Sequence, residues 1–276
     1  MRPFALVVMV LLLAPPAMTS PARADESPLK SLQTGDDSRG WEAVGRLELG
    51  SKGCCTGALI APDLVLTAAH CLFDKDTGVR MAAAEIEFLA GWRNGRAEAY
   101  RGVRRAAAHP DYVFAGLDNL DRVAFDIALL ELDQPILLTA VTPFAIGPRP
   151  VKGDAVGVVS YAQDRAEAPS LQQVCHVLGW QAQVNVLSCS VDFGSSGAPV
   201  FALRNGVAEI VSVVSAKAEV EGEKVALGAT LDAALAVLRE ELASAAMSGR
   251  SGVAQVRTLS GGTASGAKFV KPKPAP

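Results

Sequence analysis

Cys55-Thr56-Gly57-Ala58-Leu59-Ile60-Ala61-Pro62, followed by Leu64-Val65-Leu66-Thr67-Ala68-Ala69-His70-Cys71, is the stretch on which the fold turns. Two short apolar runs, Ala58–Ala61 and Leu64–Ala69, stand on either side of Pro62-Asp63. They are too short for independent helices, and Pro and Asp between them are residues that turn a chain. The same pattern extends outward: Val44–Leu49 before it, then Ile86–Ala90, Ile127–Leu132, Val156–Tyr161, Val184–Cys189, Ala198–Leu203 and Ile210–Ser215. Short runs rich in β-branched residues and broken by Gly, Pro, Asp and Asn read as strands of barrels or sandwiches. No strand–helix alternation runs through the chain, which argues against an α/β sheet.

The two ends differ from this body. Met1-Arg2-Pro3 is a basic start, Phe4 to Ala14 is apolar, and Ala22-Arg23-Ala24 is a small-residue site. That layout predicts a signal peptide over 1–24, cleaved after Ala24, because the run is far short of the ~20 residues a spanning helix needs. Residues 25–40 read as a flexible lead-in and 248–276, rich in Gly, Ser, Lys and Pro, as a disordered tail. Before that tail, Leu231, Leu235, Leu238 and Leu242 recur at helical spacing and predict a helix over 231–246. Leu137–Pro150, with Pro143, Pro148 and Pro150, reads as the connection between two halves.

The formal charge is −3, and the chain without residues 1–24 carries 24 basic against 29 acidic residues. That mild acidity argues against nucleic acid or a membrane surface as partner. Five cysteines in an exported chain point to disulfides: Cys55 and Cys71 bracket the histidine segment, and Cys175 and Cys189 flank Gly179-Trp180. Cys54 is left over, either a buried thiol or an intermolecular partner. No Cys-x-x-Cys pattern with partner histidines exists, which argues against a zinc site, and the hydroxyl chemistry read below requires no metal or organic cofactor.

Three polar residues stand where chemistry would need them. A hydroxyl is a poor nucleophile at neutral pH unless a base takes its proton and a third group orients that base. His70 ends the quoted stretch. Asp126 heads the apolar run Asp126-Ile127-Ala128-Leu129-Leu130-Glu131-Leu132, where a carboxylate needs a partner to justify burial. Ser196 sits in Gly194-Ser195-Ser196-Gly197-Ala198-Pro199-Val200, whose glycines permit a tight turn that exposes a hydroxyl. The order His, Asp, Ser separates this chain from other arrangements of such a triad, and Gly-x-Ser-Gly does not fit the Gly-x-Ser-x-Gly elbow.

At all three segments the chain resembles the chymotrypsin/trypsin-like serine peptidase family, over about residues 41–230 and closest to its bacterial secreted, trypsin-like and glutamyl-endopeptidase-like branch. The resemblance implies an all-β fold of two six-stranded antiparallel barrels, about 41–137 and 150–230 within a domain 41–247. It implies a C-terminal helix against the second barrel. It also implies a secreted or periplasmic monomer that hydrolyses peptide or protein substrates, with disulfides Cys55–Cys71 and Cys175–Cys189. In the implied roles Ser196 is the nucleophile, His70 the base and Asp126 its orienter, while the amides of Gly194 and Ser196 hold the oxyanion. Ser215, in Val213-Val214-Ser215-Ala216, supports Asp126 or lines the cleft. Ser190-Val191-Asp192-Phe193 walls the specificity pocket, where Asp192 either attracts a basic substrate side chain or sits at a turn. His109 and His176 are expected to be structural. Ser195 departs from the pattern: many family members carry there an aspartate that pairs with a newly cut N-terminal amine. An Ile-Val-Gly-Gly start is absent too, so the site is expected to form without that ion pair. A non-catalytic binding module and an esterase on the same fold are the rival readings.

Overall fold

A computed structural model describes residues 26–114, 120–162, 165–192, 194–220 and 222–251, the last four as backbone only. The predicted signal over 1–24, Phe193 and the tail beyond 251 lie outside the described residues. The chain is all-β with one long helix. Strand β1 (Leu29–Ser31) leads into β2 (Val44–Leu49), β3 (Cys54–Ala61), β4 (Leu64–Thr67), β5 (Ile86–Ala90), β6 (Ala99–Ala108) and β7 (Ala128–Leu132). The last six close into an antiparallel barrel in the order β2-β3-β4-β7-β6-β5. Alternation builds it: Leu47 and Leu49 of β2 point inward, while Arg46 and Glu48, alternating with them, pair outside at 2.7 Å. Gly45 leaves room for Phe88, since a Cβ there would lie 2.4 Å from the Phe88 ring.

After β8 (Ala145–Ile146) come β9 (Ala155–Ser160), β10 (Ser170–Gln181), β11 (Val184–Leu187), β12 (Pro199–Arg204), β13 (Val207–Val220) and β14 (Glu223–Ala229). These six close a second antiparallel barrel, β9-β10-β11-β14-β13-β12 and back to β9. Its core is built of Val156, Val158, Val177, Leu187, Val200, Val211 and Val214. Between the barrels, Trp41, Phe144 from the linker and Phe201 from β12 form an aromatic cluster with centroids 4.7–6.0 Å apart.

Two expectations change. The lead-in 25–40 is not a loose segment along its length: β1 pairs antiparallel with β10, Ser27 N–H donates to the Val174 carbonyl, and Leu32 is buried. The outer edge of β10 offers unpaired backbone groups, and pairing satisfies them. The terminal helix α2 (Asp232–Ser251) packs on β6 and β7 of the first barrel, not on the second. Leu129 and Leu130 point to opposite faces of β7, yet neither is exposed, so both faces need apolar cover. Leu235, Leu238 and Leu242 join that same core. Among the described residues no helix is long and apolar enough to cross a membrane.

Candidate active site

The site lies where the two barrels meet. β4 delivers the chain into a 3-10 turn, Ala69–Leu72, that carries His70. The short helix α1 (Leu120–Ala124) ends just before Asp126, which is 3% exposed. The Asp126 carboxylate accepts three hydrogen bonds: the His70 backbone N–H at 2.8 Å on Oδ1, and His70 Nδ1 at 2.7 Å and Ser215 Oγ at 2.5 Å on Oδ2. These partners explain how a charge can head an apolar strand. An ionised carboxylate can only accept, so the proton of a neutral ring stands on Nδ1 and Nε2 is left as the basic nitrogen. Ser215 thus supports Asp126, one of its two expected roles.

Ser196 arrives from the second barrel. Its carbonyl accepts the Thr56 N–H at 2.8 Å, and Gly197 N–H donates to Val214 O at 2.8 Å. Gly197 has φ +77°, and a Cβ on it would lie 2.1 Å from Thr67 Oγ1 and 2.3 Å from the Thr56 carbonyl. Only glycine lets the serine loop press this closely onto the strands that lead to His70. Ser196 Oγ makes no hydrogen bond to a described residue, His70 included; catalytic contacts of this kind tighten in complexes with substrate. Gly194 has φ +95°, and among the described residues neither its N–H nor that of Ser196 has an acceptor.

Thr56 was not legible as a site residue. Fully buried on β3, it donates from Oγ1 to the Gly194 carbonyl at 2.9 Å and accepts Tyr161 N–H at 3.0 Å. Its carbonyl accepts Thr67 Oγ1 at 2.8 Å. One threonine therefore ties the first barrel to both ends of the serine turn. Its only sequence signal is its place beside Cys55, in the stretch that carries the histidine.

Behind the nucleophile loop, Ser195 is wholly buried. Its Oγ lies 3.2 Å from Ser160 Oγ and 3.4 Å from the Tyr161 carbonyl, and accepts from Asp192 N–H at 3.3 Å. Arg165 Nη2 reaches both hydroxyls, at 3.4 Å from Ser160 and 3.5 Å from Ser195. Hydroxyls and one guanidinium thus seat the loop, with no carboxylate at that position.

The remaining predicted residues fall as follows. Disulfides join Cys55 to Cys71 and Cys175 to Cys189. The first uses up both sulfurs beside His70, so they offer no thiolates to a metal. Cys54 is a free, half-buried thiol whose pKa burial pushes up. Ser190 is exposed and donates its N–H to Gln172 Oε1 at 2.7 Å. Asp192 lies at a turn, its carbonyl accepting Ser195 N–H at 2.9 Å, and its carboxylate pairs with Lys217 Nζ at 2.9 Å. His109 stacks on Phe125 at 4.9 Å, next to Asp126, and burial holds its pKa below the ordinary histidine value despite Asp111. His176 donates its N–H to Ser188 Oγ at 3.0 Å.

Comparison with known proteins bears on family and fold. The family profile described as Trypsin matches residues 34–232. Mast cell protease 3 of Ovis aries is 31% identical over 182 residues, 65% of this chain and 62% of that protein. A vitellin-degrading protease of Bombyx mori is 30% identical over 46% of this chain and 38% of the relative. Vitamin K-dependent protein C of Rattus norvegicus is 35% identical over 36% of this chain and 19% of the relative. The matches thus span less than two thirds of these relatives' own lengths. A solved Glu endopeptidase in complex with MPD shares the fold, with a TM-score of 0.62 at 19% identity over 79% of this chain and 98% of the other. With the profile covering well over half of its length, the chain belongs to the trypsin family of serine peptidases.

Proposed function

We propose that the chain is an exported serine endopeptidase that hydrolyses peptide bonds through an acyl-enzyme. The observation that carries this reading is the buried Asp126 carboxylate, held by Ser215 and by two bonds from His70, which fixes the ring with Nε2 as the free base. Ser196 Oγ attacks the peptide carbonyl carbon while His70 Nε2 takes its proton. The C–N bond then breaks as the imidazolium returns that proton to the leaving amine. Water, deprotonated by the same nitrogen, releases the acyl group and restores Ser196. Through both halves Asp126 orients the ring and stabilises its charged form, and the N–H groups of Gly194 and Ser196 receive the developing oxyanion. His70, Asp126 and Ser196 are the catalytic residues; Ser190 and Asp192 flank the substrate, a peptide or protein, and Ser215 positions Asp126.

Activity here does not wait for a new N-terminal amine. Ser195 cannot make that ion pair, and its contacts with Ser160 and Arg165 support a loop seated without one. Two disulfides fit a secreted or periplasmic, oxidising location. Purified residues 25–276 are expected to take up an organofluorophosphonate probe and to cleave casein, and Ser196→Ala to do neither. Labelling without cleavage of any protein would favour an esterase. Absence of labelling would favour a binding module, and activity appearing only after a further N-terminal cut would overturn the activation reading.

A further inference from the structure

Lys217 stands on β13 two residues beyond Ser215, and its ammonium meets the Asp192 carboxylate at 2.9 Å. Asp192 lies two residues before Gly194, and its carbonyl accepts the Ser195 N–H. The ion pair therefore runs between the strand that supports Asp126 and the segment that carries Ser196. Those walls meet at the nucleophile itself, where Gly197 N–H donates to Val214 O. Lys217 and Asp192 are about half exposed, at 52% and 53%, so both charged groups are open to solvent beside the segment that carries Ser196. The residue opposite Lys217 on β14 is small, Ala226.

Asp192 alone would draw a cationic substrate side chain to this place, and Lys217 alone an anionic one. Together they nearly cancel, while a charged side chain still loses water on entry. An uncharged side chain loses little. We propose that the Lys217–Asp192 pair is a charge filter beside the nucleophile, selecting peptides with an uncharged side chain on the acyl side of the scissile bond. Each partner holds in check the preference that the other would impose. The inference rests on the endopeptidase reading and adds to it a substrate class and a specificity-determining residue, Lys217.

The test is a peptide series differing only in that side chain, Gln, Glu or Lys, read as kcat/KM ratios. Fluorophosphonate titration of Ser196 sets the active concentration, so partial misfolding of a variant does not distort the ratios. Wild type is expected to favour Gln over both charged peptides. Lys217→Ala raises the Lys-to-Gln ratio about tenfold and lowers the Glu-to-Gln ratio, the scale of one nearby charge at a partly solvated site. Asp192→Asn does the reverse. The exchanged double variant, Asp192→Lys with Lys217→Asp, returns to the Gln preference, and high salt shrinks both single-variant shifts. Any other result overturns the filter, including shifts in one variant only or in the same direction in both. If wild type cleaves the Gln peptide and the ratios stay put, the filter alone falls. If wild type cleaves casein but none of these peptides, the filter alone falls; if it cleaves neither, the endopeptidase reading falls and the filter with it.

Discussion

Gly197→Ala is the sharpest probe of how the serine loop is held. At φ +77° an alanine carries a left-handed penalty of about 1 kcal/mol. Its methyl would also stand 2.1 Å from Thr67 Oγ1 and 2.3 Å from the Thr56 carbonyl, neither of which ends a flexible side chain. Relief requires breaking the Thr67–Thr56 hydrogen bond, worth about 1 kcal/mol, and shifting backbone against packed strands, about 1–3 kcal/mol more. Gly40→Ala is the control: its φ is +85°, with nothing within 4 Å of the added Cβ. Relative to that control, Gly197→Ala is expected to lose about 3 kcal/mol, a Tm lower by roughly 6–12 °C. Because the loop must move by on the order of 1 Å, kcat should fall by about a hundredfold. Differential scanning calorimetry and turnover per titrated active site measure the two effects. A Gly197→Ala protein matching Gly40→Ala in both would refute the claim that close approach, rather than backbone conformation, demands this glycine.

Ser215→Ala removes one of three donors to Asp126 and should lower kcat/KM about tenfold, read with a neutral peptide substrate, and Tm by a few degrees. His109 is held neutral by burial, so the unfolded chain binds a proton that the folded chain resists. Its contribution to stability is complete well above its ordinary pKa of 6.5 and is lost as pH falls below that value, so Tm should drop less steeply from pH 7 to 5 in His109→Gln than in wild type. The double variant Cys175→Ser/Cys189→Ser opens a bridge of sequence separation 14 and should cost about 3 kcal/mol in urea unfolding.

Most strands were legible because burial on one face writes itself along the chain. Val44–Leu49 and Ile86–Ala90 begin and end as their apolar runs do. β6 was not legible: it carries Arg101, Arg104 and Arg105, and only Ala99, Val103 and Ala107, four residues apart, are buried, so its apolar residues do not alternate along the strand. Its charge is balanced from the neighbouring strand, where Glu131 meets Arg104 and Arg105. β10 and β14 likewise mix polar with apolar residues, because only one face of each is covered. The leucine stripe of α2 announced a helix with a buried face but not its seat, since periodicity names a face and never the surface it meets.

By itself the sequence determined which groups are available and in what order: a histidine after a short strand, an aspartate heading another, a serine between glycines, and half-cystines bracketing the first of these segments. Local spacing and side-chain chemistry suffice for that. Only the tertiary structure decided that Ser215 braces Asp126, that Thr56 holds Gly194 across 138 residues of chain, and that Lys217 answers Asp192. Such contacts follow from closing each barrel and setting the two against each other, and no local pattern encodes a partner that arrives from a distant strand.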